Sequence, residues 1–290
     1  MSMVGADMLF RIHRRMQEVF KNRDLFGGVG VVLVGDLLQI PPVQEKQIFA
    51  EPNNKDAKIF HDATPLWEQF DVIVFNHNHR QGDGNAYSDL LNRVRIGEPS
   101  DDDLALLMKC ELQEEDVSFD TCHIMYLNDD KNAQNKKLLD RLDTELVTME
   151  CIERPHWYKS KTKHGCVGNT QFMRILELKV GARVALIHNI NTYDDLYNNA
   201  MGTVEGFEGE GKVEIIMVKF DNESSGQNQR IKYSEYCQKP AYKDCNVTPI
   251  PRYDNKYPIP PFHEKTAHVI QFPLQLAWAS TAHRIQVRKL

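Results

Sequence analysis

Apolar positions open the chain at helical spacing. Within residues 3–23, Met8, Ile12, Met16 and Val19 share one side of a helical wheel and Arg11, Arg14 and Arg15 lie elsewhere, which predicts an amphipathic helix packed on a core. Asp7, Glu18 and Asp24 count against the other reading of such a segment, a mitochondrial presequence, which is poor in acids. The run VVLVGD (31–36) is too short for a helix and predicts a strand buried on both faces, as in a parallel sheet. Gly27, Gly28 and Gly30 precede that strand, and no helix start follows them, so they lack the order of a phosphate cradle. Pro41 and Pro42 close the strand. After a helical turn at 65–70, DVIVF (71–75) predicts a second buried strand that runs into the polar cluster NHNHRQ (76–81). Both strands thus end in polar loops, where open α/β sheets bind ligands.

Residues 85–96 and 101–110 predict amphipathic helices, the second capped by Ser100. CHIMYL (122–127) predicts a third strand and 130–142 a polar helix. Beyond Leu176 the texture changes to short runs, RVALIHN (183–189), GTVEGF (202–207), EIIMVKF (214–220) and RIKYSEY (230–236), separated by Gly, Asn and Asp turns. Such spacing predicts a small β-barrel. The last stretch, HVIQFPLQLAWASTAHRIQ (268–286), predicts a strand, a break at Pro273 and the start of a helix. The whole reads as an α/β chain.

At 290 residues, against about 150 per domain, the chain has length for two domains. With 41% hydrophobic and 26% charged residues it is not a disordered or low-complexity sequence. No apolar run approaches the ~18 residues of a membrane span, which predicts no membrane partner. Six scattered cysteines fit a reducing, intracellular setting, in which the glycosylation-type triplets at Asn222 and Asn246 carry no meaning. The net charge of −6 hides a strong asymmetry. Residues 98–120 hold nine acids and one lysine, whereas 154–174 holds five basic residues and no acid. A polyanion would use the second stretch, where Lys159, Lys161 and Lys163 interleave with Trp157 and Tyr158, a mixture found both in single-strand grooves and in solvated loops. Cys151, His156, His164 and Cys166 match no zinc-finger spacing, so no metal site is predicted.

In order along the chain, Ser2-Met3-Val4, Phe26-Gly27-Gly28, the stretch 34–43 (VGDLLQIPPV), Asn78-His79-Arg80-Gln81, 91–97 (LNRVRIG), 178–182 (LKVGA) and 273–286 (PLQLAWASTAHRIQ) resemble the helicase core of the petite integration frequency (PIF-type) family of superfamily-1B DNA helicases, including relatives carried by transposons. The resemblance implies RecA-like P-loop lobes, with the first lobe ending in 1–75, the second beginning in 76–180 and returning in 268–290, and a barrel inserted over 181–267. It implies ATP and magnesium as cofactors, single-stranded DNA as partner, and roles in DNA repair, recombination and telomere maintenance in the nucleus or mitochondrion. Gln39 and Arg80 stand where the family acts on the γ-phosphate: an amide that donates and accepts, and an always-charged planar fork. Gly35, Asp36 and Gln286 stand beside the nucleotide, with Asp36 suited to orienting its loop. Pro41 and Pro42 stand against the DNA strand, and Thr281, His283 and Arg284 where the family holds its phosphates. Trp278, among apolar neighbours, reads as core more readily than as a stacking platform.

Three departures stand out: Arg284 replaces a usual lysine, Val287 a usual glycine, and Ala200 the glycine of an Asn-Gly turn. More consequential, G-x-x-x-x-G-K-[ST] does not occur, no Asp-Glu pair precedes Ser2, and the family's last arginine-bearing motif does not follow Gln286. The expectation is therefore a helicase fragment, truncated at both ends, that does not hydrolyse ATP unaided. The alternatives are a non-enzymatic module that binds single-stranded DNA or protein, and an incomplete reading of a longer working enzyme.

Overall fold

The computed structural model describes residues 2–75, 85–163, 165–168, 170–243, 245–259 and 265–285. The chain divides into two compact units, the first over 1–116 and the second over 117–287, a boundary that falls inside the stretch 76–180.

In the first unit, helix α1 (Ala6–Phe20) forms where periodicity placed it but buries a different face. Ala6, Leu9 and His13 point inward, with Leu9 meeting Phe26, Ile48 and Leu66, whereas Met8, Ile12 and Val19 are exposed. The reason is tertiary: the ring of His13 sits among Phe10, Phe26 and Phe60, and its Nδ1 accepts the backbone N–H of Phe26 at 3.1 Å. An imidazole thus fills a position that a simple apolar stripe would give to leucine. Asp7, also buried, accepts the N–H of Asn54, whose own side chain caps helix α2 (Lys55–Ala63) by accepting from Asp56 and Ala57.

With Nδ1 as acceptor, the proton of neutral His13 lies on Nε2, which has no partner among the described residues. Burial first, and the charge of Arg14 second, push its pKa below 6.5. The unfolded chain therefore binds more protons than the folded unit as pH falls through about 6.5. The stability that His13 brings is full above that value and is lost below it, down to the depressed folded pKa. Denaturant midpoints of the first unit are expected to fall between about pH 7 and 5, with a smaller fall in His13→Leu; equal slopes would refute this role.

The strands expected at 31–36 and 71–75 do not form. Both segments carry no ladder, and Val32, Val34, Ile73, Val74 and Phe75 are exposed. A strand buried on both faces exists only when neighbours pair with its backbone, and no described segment does so. Helices α3 (Ala86–Ile96) and α4 (Asp101–Met108) form where the pattern places them, although Leu104, Leu106, Leu107 and Met108 of α4 are exposed. Ser100 closes a capping box with Asp103, whose carboxylate also takes two bonds from Arg93, at 2.6 and 2.7 Å. These contacts, Arg93 foremost, hold the Asp103 carboxyl well below the usual range.

The second unit is built from helix α5 (Asn128–Asp140) and short strands. They are β1 (His123–Met125), β2 (Val147–Glu150), β3 (Ile152–Arg154), β4 (Thr162–Lys163), β5 (Cys166–Val167), β6 (Ile175–Leu178) and β7 (Arg183–Leu186). Then follow β8 (Met201–Glu208), β9 (Ile215–Phe220), β10 (Thr248–Pro251), β11 (Tyr253–Pro258), β12 (Thr266–Gln271), β13 (Leu274–Leu276) and β14 (Ala279–Thr281). Strands β1 and β14 pair in parallel, and the α/β class holds.

The expected barrel is not closed. An antiparallel sheet runs in the order β10-β9-β8-β7-β13, and its two edge strands do not pair with each other. Part of the reason is that 230–236, expected as a strand, is helical (Gln227–Lys232 and Ser234–Cys237), started by buried Asp194, which accepts the N–H groups of Asn228 and Gln229. The other part is β10 itself. The Pro249 carbonyl accepts the Gln229 amide, so the polar edge of that residue faces away from β9, and Pro251, two residues on, faces the same way. Neither proline has an N–H to offer a further strand. Trp278 is buried against Phe119 in the main core, with Leu139, Leu178, Val184 and Phe272.

Candidate nucleic-acid interface

Strand β14 carries the segment 279–281 to the mouth of a cleft. One side of it pairs with β1; the other is met by a side chain. Buried Asn135, on α5, donates Nδ2 to the Ala279 carbonyl at 3.0 Å and accepts the Ala279 N–H on Oδ1 at 2.8 Å. Its amide takes the place of a neighbouring strand. Thr281 then ends the strand and Arg284 lies on the short turn of helix Ala282–Ile285.

Both residues line a cleft of about 920 Å³ whose other walls come from α5 (Lys131, Asn135, Lys136) and from Gly165, Cys166, Gly168, Thr170 and Gln171. Arg284 Nε donates to Asn199 Oδ1 at 2.7 Å and Nη2 to Gln171 Oε1 at 3.3 Å. Asn199 is in the left-handed conformation, φ 73°, so the turn that a glycine usually makes is borne one residue earlier by an asparagine. The altered Asn198-Asn199-Ala200 loop thus becomes a socket for Arg284. Burial, and then the charge of Arg284, push the Lys131 amine below its ordinary pKa. Two cations crowded into one concavity are relieved by an anion. Lys136 is paired with Asp140 and Glu177, each at 3.2 Å, and is less available.

Lys159 and Lys161 are not in this cleft. They line a second cavity, of about 780 Å³, with Tyr158, His188, Asn255 and Tyr257, and the two cavities share Gly168, Thr170 and Gln171 as a common wall. In the first unit, Asp36 accepts the N–H of Leu38, lies 3.5 Å from Gln39 Nε2, and is paired with Arg95 of the LNRVRIG stretch at 3.1 Å. It positions the 36–39 loop that follows Gly35 and precedes Pro41 and Pro42. Among the described residues no cluster of His, Cys, Asp or Glu could hold a metal ion. Arg80, Gln286 and the side chains of Lys163 and His283 lie outside the described residues.

Sequence reasoning missed Lys131, Asn135, Asn199 and Gln171. Only the i, i+4 spacing of Lys131 and Asn135 on a polar helix hinted at a shared face.

Residues 1–104 match the model of the PIF1-like helicase family. Over 98% of its length the chain is 26% identical to the ATP-dependent DNA helicase PIF1 of Rattus norvegicus, of which it spans 39%. The chain is thus similar to the PIF1-like helicases. The fold agrees: the Pif1 helicase of Candida albicans matches 98% of the chain with a TM-score of 0.69 at 20% identity, the chain covering 61% of that structure. Bacteroides Pif1, in complex with ADP-AlF3 and single-stranded DNA, matches 98% with a TM-score of 0.59 at 23% identity, the chain covering 60%. The PIF1-like match of residues 1–104 includes Asp36, Gln39 and the LNRVRIG helix; the cleft of Thr281 and Arg284 lies beyond it, in the part that the longer likenesses cover.

Proposed function

We propose that this chain supplies the strand-holding part of an ATP-dependent DNA helicase, and that it grips single-stranded DNA by its phosphates in the cleft of Thr281, Arg284 and Lys131. The observation that carries this reading is the socket itself. Asn199 and Gln171 fix the Arg284 guanidinium at the mouth of a concavity that already holds the Lys131 amine. A hydroxyl, a fork and an amine suit phosphate oxygens, and such contacts give affinity without reading sequence. The Bacteroides relative described with single-stranded DNA supports the choice of ligand.

The nucleotide half of the reaction is a different matter. Gln39 and Arg80 are the residues offered to a γ-phosphate, but these 290 residues contain no phosphate-cradling loop with its lysine, and Asp36 is engaged by its own loop and Arg95. Purified as it stands, the chain is expected to show no ATP hydrolysis above background with or without DNA. It is expected to bind labelled dT15, followed by fluorescence anisotropy, with log K falling linearly against log salt by about 0.7 per phosphate neutralised. Salt-independent binding, or DNA-stimulated release of phosphate from ATP, would overturn the respective half of the proposal.

A further inference from the structure

The second cavity has a chemistry that the phosphate cleft does not use. Along β11, Tyr253, Asn255 and Tyr257 are half-buried while Asp254, Lys256 and Pro258 are exposed, so the first three share one face, as alternate residues of a strand must. Tyr253 forms the backing: its ring stacks on Phe172 at 13° and its hydroxyl meets His188 Nε2 at 2.8 Å. In front of it, Asn255 and Tyr257 open into the cavity between Phe172, His188 and Tyr158. Tyr257 is held in place, its hydroxyl bonded at 2.5 Å to buried Ser160, whose N–H is taken by Glu153. The rim carries Lys159 and Lys161, and none of the lining residues is acidic.

Flat rings, the amides of Asn255 and Gln171 and cations at the rim together fit a ligand with a planar face, a hydrogen-bonding edge and an attached negative charge. At about 780 Å³ the cavity is of the size that holds small planar ligands. The wall it shares with the phosphate cleft, Gly168 with Thr170 and Gln171, gives a strand leaving Arg284 a direct way in, since Gln171 also touches Arg284.

We propose that this cavity is a nucleobase pocket, in which a single strand held at Thr281 and Arg284 passes over Gly168, Thr170 and Gln171 and places one unstacked base against Tyr257, with its edge on Asn255 and its flanking phosphate at Lys159 and Lys161. The proposal rests on the phosphate cleft holding single-stranded DNA.

The test uses the full chain and dT15 oligonucleotides that each lack one base at a different position. Base stacking on an aromatic ring contributes about 1–3 kcal/mol, so a single abasic position should weaken binding about tenfold while its distant neighbours change little. Tyr257→Leu and Asn255→Ala should flatten that position dependence without altering the salt slope, and Tyr257→Phe, which keeps the ring, should preserve it. Circular dichroism of each variant guards against unfolding. Tight, salt-sensitive binding with every abasic position tolerated equally overturns the pocket and leaves the phosphate cleft standing. Absence of binding to any strand overturns both, and preference for an aromatic peptide over the oligonucleotide as competitor overturns the assignment to a base.

Discussion

Asn135→Ala is expected to lower the melting temperature of the second unit by roughly 6–12 °C. The Asn135 amide is buried and satisfies both the N–H and the carbonyl of Ala279, on the side of β14 that β1 does not reach. Truncation leaves two buried backbone groups unpaired, at about 1–3 kcal/mol each, and about 3 kcal/mol at 2–4 °C per kcal/mol gives the stated range. Asn135→Asp offers an acceptor to the Ala279 N–H but presents a charge to its carbonyl, so it should be no milder near neutral pH. A shift under 2 °C in Asn135→Ala by differential scanning calorimetry would show that water or a relaxed backbone replaces the amide. Because Thr281 ends this strand and Arg284 lies on the helical turn that follows it, the variant should also weaken oligonucleotide binding below its melting point.

Arg284→Ala is expected to weaken dT15 binding about 10- to 100-fold, from the loss of charge-assisted bonds of about 1.5–3 kcal/mol, and to reduce the salt slope by about 0.7. Arg284→Lys should recover the salt slope but only part of the affinity. An ammonium keeps the charge yet cannot hold Asn199 and Gln171 with one planar fork. Anisotropy titrations at three salt concentrations separate the two effects. Equal affinity for wild type and Arg284→Ala would remove the cleft from the binding surface.

What the sequence made legible was local. The Ser100 cap and the helix over 86–96 arise from neighbours within a few residues, and the strands at 183–186 and 215–220 both pair with β8, the strand that lies between them in sequence, so there pattern and structure agree. Patterns that depend on distant partners were the ones that misled. VVLVGD has the composition of a central strand, but composition cannot supply the neighbouring strands whose backbone it needs. RIKYSEY alternates well enough for a strand, yet Asp194, more than thirty residues earlier, accepts the N–H groups of Asn228 and Gln229 and so starts the helix there. In the site, Thr281 and Arg284 stood out by their resemblance. Lys131 and Asn135 did not, because their meaning comes from β14, across 144 residues of sequence in the case of the Asn135–Ala279 bonds.

The prolines of β10 matter beyond the shape of one sheet. An edge strand with open donors and acceptors is a template on which another chain can extend the ladder, and Pro249 and Pro251 withhold the donors at that edge. The first unit has no such guard at 31–35 and 71–75, where valines, isoleucine and phenylalanine lie exposed on unladdered backbone. Self-association of this chain in concentrated solution is therefore expected to begin by strand addition at those two segments rather than at the β10 edge.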